Sequence, residues 1–332
     1  MRRRRGEVLF MAYDIVALGE LLVDFTEYGR SPGGSRLFEQ NPGGAPANVL
    51  AAAARCGCST ALISKVGADL HGRFLIDALA QAGVDVSGVS VTPDAFTTLA
   101  FVALSDQGER TFSFARRHSA DTQLRPEDIP AGLPEQAAIF HVGSLSLTEE
   151  PARSATWQAV SRAKAAGALI SYDPNYRAAL WPSEAAAAEQ MRALLPCADL
   201  VKLSQEETAL LTGYSDPERA ARALTDSGVG CAAVTLGGAG ALVCANGQTG
   251  TVPGFSVPVV DTTGAGDAFW GGFLYLVRKF SKPLDRFTLE DLSTCALWGN
   301  AAAALCVGRR GGIPAMPSAE EILAFLSGAQ GA

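Results

Sequence analysis

Asp267 is the residue in this chain best placed by its neighbours to do chemistry. It lies in the string Asp261-Thr262-Thr263-Gly264-Ala265-Gly266-Asp267-Ala268-Phe269-Trp270-Gly271-Gly272-Phe273, directly after an apolar run at 255–260. That run reads as a β-strand. Phe269, Phe273, Leu276 and Phe280 then fall near helical spacing, so a helix begins close to Gly264. The free amides of a helix start attract negative charge, and Gly264 and Gly266 let a ligand approach the backbone without a Cβ in the way. A carboxylate in that first turn can simply compensate the helix dipole, worth ~0.3–1 kcal/mol. It can also act as a general base. Asp267 would then take a proton from an alcohol while the amides of Ala265, Gly266 and Asp267 hold the charge moving toward it. The whole string, with its paired glycines, favours the base.

A second glycine pair stands in Asn41-Pro42-Gly43-Gly44-Ala45-Pro46-Ala47-Asn48-Val49, ahead of an alanine-rich helix over 47–56. Asn48 can donate and accept toward a polyol, or cap the helix start. Further back, Asp24 is a carboxylate in an apolar strand, costly there unless it is hydrogen-bonded. Together the two strings, roughly 220 residues apart and in this order, resemble the signatures of the ribokinase-like (PfkB-type) carbohydrate kinases.

That resemblance implies a ribokinase-like three-layer α/β sandwich with a mainly parallel central sheet and a small β-sheet lid. The kinase domain would run over 13–328, after an extension at 1–12, with lid segments at about 21–42 and 95–117. The implied reaction moves the γ-phosphoryl group of magnesium ATP onto a sugar hydroxyl. Asp267 is the implied base, with Gly264, Ala265 and Gly266 as the anion hole. Asp24, Gly43, Gly44, Asn48, Arg116 and Arg177 are implied at the sugar. Lys202, Thr235, Gly237, Gly240, Gly264 and Asn300 are implied at the nucleotide. Glu207 would act on Mg²⁺ through water, and Asp261 and Thr263 would help hold K⁺ with carbonyls of the 306–311 loop.

Gly143-Ser144-Leu145-Ser146-Leu147, the stretch Asp173-Pro174-Asn175-Tyr176-Arg177 with Leu180-Trp181-Pro182, and Lys202-Leu203-Ser204-Gln205-Glu206-Glu207 resemble the fructokinase branch. So does Arg116-Arg117-His118-Ser119-Ala120-Asp121, where a solvated basic face is the rival reading. Ser204 stands where most of the family has Asn, a departure the fructokinases share. Kinases of 2-keto-3-deoxygluconate and of ribose are the neighbouring alternatives. A sugar-binding regulator without catalysis is the alternative of a different class, and Asp267 with its glycines argues against it.

The elements that must position these residues follow from the alternation of apolar segments. Strand 137–142, helix 149–166, strand 168–172, helix 183–194, strand 199–203, helix 217–227 and strand 231–236 argue for a mainly parallel sheet with helices on both faces. Ligands of such sheets sit at the C-terminal ends of the strands. Residues 97–104 and 110–114 read as a hairpin across a polar turn at 105–109. With 21–40 they could form a small separate sheet, and a homodimer through its apolar face would keep that face dry. The Thr235-Leu236-Gly237-Gly238-Ala239-Gly240 turn leads into a strand, so it is no dinucleotide fingerprint, and no GxxxxGK[ST] loop occurs.

At 332 residues, with 48% hydrophobic and 18% charged, the chain can bury a large core. Its net charge of −7, with no basic stretch interleaved with aromatics, argues against nucleic acid. No apolar run approaches the ~20 residues that span a bilayer, which argues against a membrane. The Arg2–Arg5 start mimics a signal peptide, but its apolar run is short and no small-residue cleavage site follows. It reads as an extension ahead of Met11, with an organelle presequence as the rival reading. Seven scattered cysteines and three distant histidines offer no CxxC, zinc cluster or HExxH, and fit reduced thiols in a cytoplasmic protein.

Overall fold

The computed structural model describes residues 12–104 and 110–329. Its strands are β1 Tyr13–Leu18, β2 Leu22–Arg30, β3 Arg36–Gly43, β4 Thr60–Gly67, β5 Val89–Thr92, β6 Leu99–Leu104, β7 Arg110–Ala115, β8 Ala137–Val142, β9 Leu169–Tyr172, β10 Leu200–Ser204, β11 Cys231–Thr235, β12 Ala241–Ala245 and β13 Gln248–Val252. Its helices are α1 Ala45–Arg55, α2 Leu70–Gln81, α3 Ala152–Ala166, α4 Glu184–Leu194, α5 Thr208–Thr212, α6 Pro217–Asp226, α7 Ala265–Lys279, α8 Leu289–Val307 and α9 Ala319–Ala329.

Nine strands form one sheet in the order β13-β12-β11-β10-β9-β8-β1-β4-β5. Every neighbouring pair from β5 to β11 is parallel, and β12 and β13 are added by antiparallel pairing. Successive residues of a strand face opposite sides, and β1 shows what that does here. Ile15 and Ala17 join a core with α1, α2, α7 and α8, while Val16 and Leu18 join a second core with α3, α4 and α6. The result is the expected three-layer sandwich.

Two glycine-started helices set the geometry of one end of this sheet. α1 begins after Gly44, whose φ of +113° puts it in the left-handed region, and a Cβ there would come within 2.3 Å of the Glu20 carbonyl oxygen. The Ala45 amide donates to Glu20 Oε1 at 2.9 Å, so a buried carboxylate closes the helix start. α7 lies directly against α1. A Cβ on Gly271 would stand 2.6 Å from Ala52 Cβ and 2.6 Å from the Val49 carbonyl oxygen, so only a glycine permits this approach.

The segment 255–260 is not the strand that its apolar residues suggest. Pro258 cannot donate to a ladder, and the chain instead crosses as coil, with the Val260 and Asp261 amides donating to the Val307 carbonyl at 2.8 and 3.1 Å. This crossing leaves Val257 and Val259 lining a cleft rather than buried in a sheet.

A four-stranded second sheet, in the order β3-β2-β6-β7, stands apart from the first. Phe25 stacks on Phe101 with ring centroids 5.3 Å apart, and Phe38 meets Phe101 edge-on at 6.0 Å. Tyr28, Leu37, Phe38 and Phe101 of this sheet are exposed. The hairpin turn expected at 105–109 and residues 1–11 of the expected extension lie outside the described residues. All seven cysteines are free, and six are buried. Among the described residues no helix is long and apolar enough to cross a membrane.

Gly271→Ala should force α1 and α7 apart and destabilise the fold by about 1–3 kcal/mol, read as a lower urea midpoint at constant slope. An unchanged midpoint would mean that the two helices do not depend on this contact.

Candidate active site

Gly264 is left-handed, with φ +76°, and starts α7 just below the ends of the central strands. Asp267 follows in the first turn and is buried. The Asn48 amide donates to Asp267 Oδ2 at 2.8 Å, joining the first turns of α1 and α7. Asn48 is expected at a sugar, and its Nδ2 is engaged in holding Asp267. Its Oδ1 is buried without a hydrogen-bond partner among the described residues.

Burial pushes the Asp267 carboxyl up to about 6; the Asp173 charge adds to this, while Lys202, the Asn48 amide and Arg177 oppose it. A base with that affinity is poised to take a proton near neutral pH. Asp24 is pushed up to about 7, first by burial and then by the charge of Asp267, with Arg177 pulling down and Asp261 pushing up. Asp24, Asp267, Asp261 and Arg177 thus share one electrostatic neighbourhood. Gly43 completes it, because a Cβ there would fall 2.2 Å from Asp24 Oδ2.

Two clefts meet over the start of α7. One, of 480 Å³, has glycine edges at Gly237, Gly238, Gly240 and Gly254, and apolar walls from Phe255, Val257, Val259, Phe269 and Val307. Asn300 lines it while its Nδ2 donates to the carbonyls of Val252 and Pro253 at 3.1 and 3.0 Å. The other, of 460 Å³, is lined by Arg177, Lys202, Glu207, Gly264, Gly266 and Asp267 among others. Thr235, Gly237, Thr262, Ala265 and Gly266 belong to both. An apolar, glycine-edged slot opening into a cleft that holds a helix start, Arg177 and Lys202 suits a base joined to a chain of phosphates.

The remaining expected residues divide clearly. Lys202 Nζ is 2.6 Å from Asp173 Oδ2, both buried. Glu207 is buried, its Oε1 accepting from the Tyr176 amide at 2.6 Å and its Oε2 from the Ser204 amide at 2.7 Å. It therefore pins two site loops together, and burial raises its carboxyl above the ordinary range, helped by the charge of Asp173. Asp261 is buried and accepts from the amides of Thr263 (2.8 Å) and Gly311 (3.1 Å), which ties the approach to α7 onto the 306–311 loop.

Arg116 is the correction. Its guanidinium is buried and donates to Asp121 Oδ2 (2.9 Å), Thr148 Oγ1 (2.8 Å) and the Leu145 carbonyl (2.8 Å). A buried guanidinium needs acceptors, and Asp121, five residues on, supplies one. Asp173 is the residue that sequence reasoning left without a role. The signal was present: a lysine inside the apolar strand β10 demands a buried carboxylate partner.

Residues 12–319 match the family described as pfkB family carbohydrate kinase. The chain belongs to the pfkB family of carbohydrate kinases. Fructokinase-2 of Zea mays is 42% identical to this kinase over 307 residues, covering 92% of this chain and 91% of the relative. A fructokinase of Xylella fastidiosa solved with bound ATP superposes with a TM-score of 0.84 at 35% identity, over 96% of this chain and 99% of that one. A Vibrio cholerae fructokinase solved with fructose, ADP and calcium gives 0.85 at 34% identity, over 95% and 99%. The fold of this kinase is therefore ribokinase-like, as expected.

The raised carboxyls of this kinase carry a stability signature. Asp24 and Asp267 keep protons in the folded chain at pH values where the unfolded chain has released them, so ligand-free stability falls as pH rises from about 4 to 7. Asp24→Asn removes part of that penalty. It should raise Tm at pH 8 and leave Tm unchanged at pH 4, by calorimetry. An equal change at both pH values would show that Asp24 ionises normally.

Proposed function

We propose that this kinase is an ATP-dependent fructokinase, transferring the ATP γ-phosphoryl group to the 6-hydroxyl of D-fructose. The observation that carries the reading is a buried carboxylate, Asp267, in the first turn of a glycine-started helix where two clefts meet. The fructokinase relatives support fructose as the acceptor.

Phosphoryl transfer depends on in-line positioning and on cancelling spreading charge. The apolar slot would take the nucleoside, Asn300 flanking its base, with Thr235, Gly237 and Gly240 along the phosphates. Asp24 and Arg177 would hold the sugar hydroxyls, with Gly43 and Gly44 giving the backbone room. Asp267, aligned by Asn48, accepts the proton of the attacking hydroxyl as its oxygen bonds to the γ-phosphorus and the bond to ADP breaks. Amides of Ala265, Gly266 and Asp267 donate to the transferring oxygens, each such donor worth ~10²–10³-fold. The small sheet would cover the sugar and exclude water, which otherwise competes as acceptor.

The donor set fits magnesium held mainly by phosphates and water, since no group of three or more His, Cys, Asp or Glu gathers among the described residues. Glu207 would reach it through water, and the ion supplies charge neutralisation at the phosphates. Asp261 and Thr263, beside the 306–311 loop, are the oxygens suited to K⁺. The exposed aromatic face of the small sheet suits a homodimer, and seven free thiols suit a reducing cytoplasm.

The test is ADP release with fructose, ribose, 2-keto-3-deoxygluconate and adenosine as acceptors, with and without K⁺. Fructose should dominate; turnover on another acceptor alone would reassign Asp24 and Arg177 to that polyol. No turnover on any acceptor would overturn the kinase reading. Asp267→Asn should keep ATP affinity and lose ~10²–10⁴-fold in kcat. Asp24→Ala should raise the sugar KM far more than the ATP KM.

A further inference from the structure

Lys202 is a lysine in the middle of the buried strand β10. Its side chain is 6% exposed, and that of Asp173, its partner at 2.6 Å, is 2% exposed. An ammonium withdrawn this far from water is retained only with a close counter-charge. Its placement is specific. A Cβ on Gly266 would stand 3.3 Å from Lys202 Nζ, so the ammonium lies directly under the first turn of α7. It also lines the cleft shared by Gly264, Gly266 and Asp267. The positive charge therefore adds to the helix amides from below.

Asp173 follows the end of β9 and reaches this place because β9 and β10 are parallel neighbours, so both strands end at the same edge. One oxygen holds the lysine. The other, Oδ1, is buried and has no hydrogen-bond partner among the described residues. The charge of this carboxylate is felt at Asp267.

We infer that Asp173 is a positioning residue for the transfer: it holds the Lys202 ammonium beneath the first turn of α7 and so sets the charge balance around Asp267. This rests on the phosphotransfer reading above. The two members of the pair act on the base in opposite senses, Asp173 favouring its protonated form and Lys202 its ionised form. Among the described residues, the other charged or titratable groups felt at Asp267 are Arg177, Asp24 and Cys306, with the Asn48 amide bonded to it, and Glu207 lines the same cleft and interacts with both members of the pair.

The experiment is the pH dependence of kcat, at saturating sugar and ATP, for the wild type, Asp173→Asn, Lys202→Met and the double variant. Asp173→Asn should move the acid limb to lower pH and Lys202→Met should move it to higher pH, each by roughly one pH unit. The double variant should return the limb close to the wild-type position while kcat stays ~10²-fold or more below it, because the cation is gone. A pair that only stabilises the fold would lower Tm in each variant and leave the limb where it was, and that result overturns the inference. Where one single variant fails to fold, the other decides by the same readout: a limb moved in the stated sense supports the inference, and an unmoved limb overturns it. Wild-type kcat in the double variant overturns it as well. A wild type without transferase activity would instead overturn the phosphotransfer reading, so the two failures are distinct.

Discussion

The hydrogen bond from Asn48 to Asp267 spans 219 residues of sequence, and much of the site follows from the contact that makes it possible. α1 and α7 can come this close only because Gly271 presents no side chain to Ala52 and Val49. Once they do, the starts of both helices fall at one end of the sheet. The carboxylate of one helix is then fixed by the amide of the other, and the glycine at each start keeps the approach open. The positions of Asp24, Gly43 and Glu20 depend on the same arrangement, since all three adjoin the entry to α1.

The polar interior of this end carries several buried charges, and three of them have defined answers. Lys202 is answered by Asp173, Arg116 by Asp121 and two further acceptors, and Glu207 by two amides. Buried ion pairs contribute little to net stability, because desolvation offsets their attraction. Their value here is fixed position. A loop carrying Arg177 and a helix start carrying Asp267 cannot drift while such pairs tie their surroundings together.

Local strings made part of this legible from sequence. The glycines around Asp267 and at Gly43 and Gly44 encode backbone conformations within a few residues, and the alternation from 137 to 236 encodes the parallel sheet through strand and helix periods. What sequence could not show was which distant partner each polar residue meets. Asn48 read as a sugar contact ahead of a helix cap, and Arg116 as a basic group free to reach a ligand. Only the fold shows that the first turns onto Asp267 and the second onto Asp121 and Thr148. The 255–260 run misled for a different reason: its valines and phenylalanine fit a strand, but the decisive residue was Pro258, and the crossing serves as a cleft wall.

The two clefts, of 480 and 460 Å³, have Thr235, Gly237, Thr262, Ala265 and Gly266 in common. On the proposed reaction, the backbone of these shared residues would serve a phosphoryl group both before and after it changes partner. One consequence concerns inhibitors. A nucleoside joined by a phosphate bridge to a group that fits beside Arg177 and Lys202 would fill both clefts at once and engage that shared wall with a single linker. Its affinity would gain from effective concentration as well as from contact, provided the bridge matches the span. A compound confined to either cleft would forgo that gain.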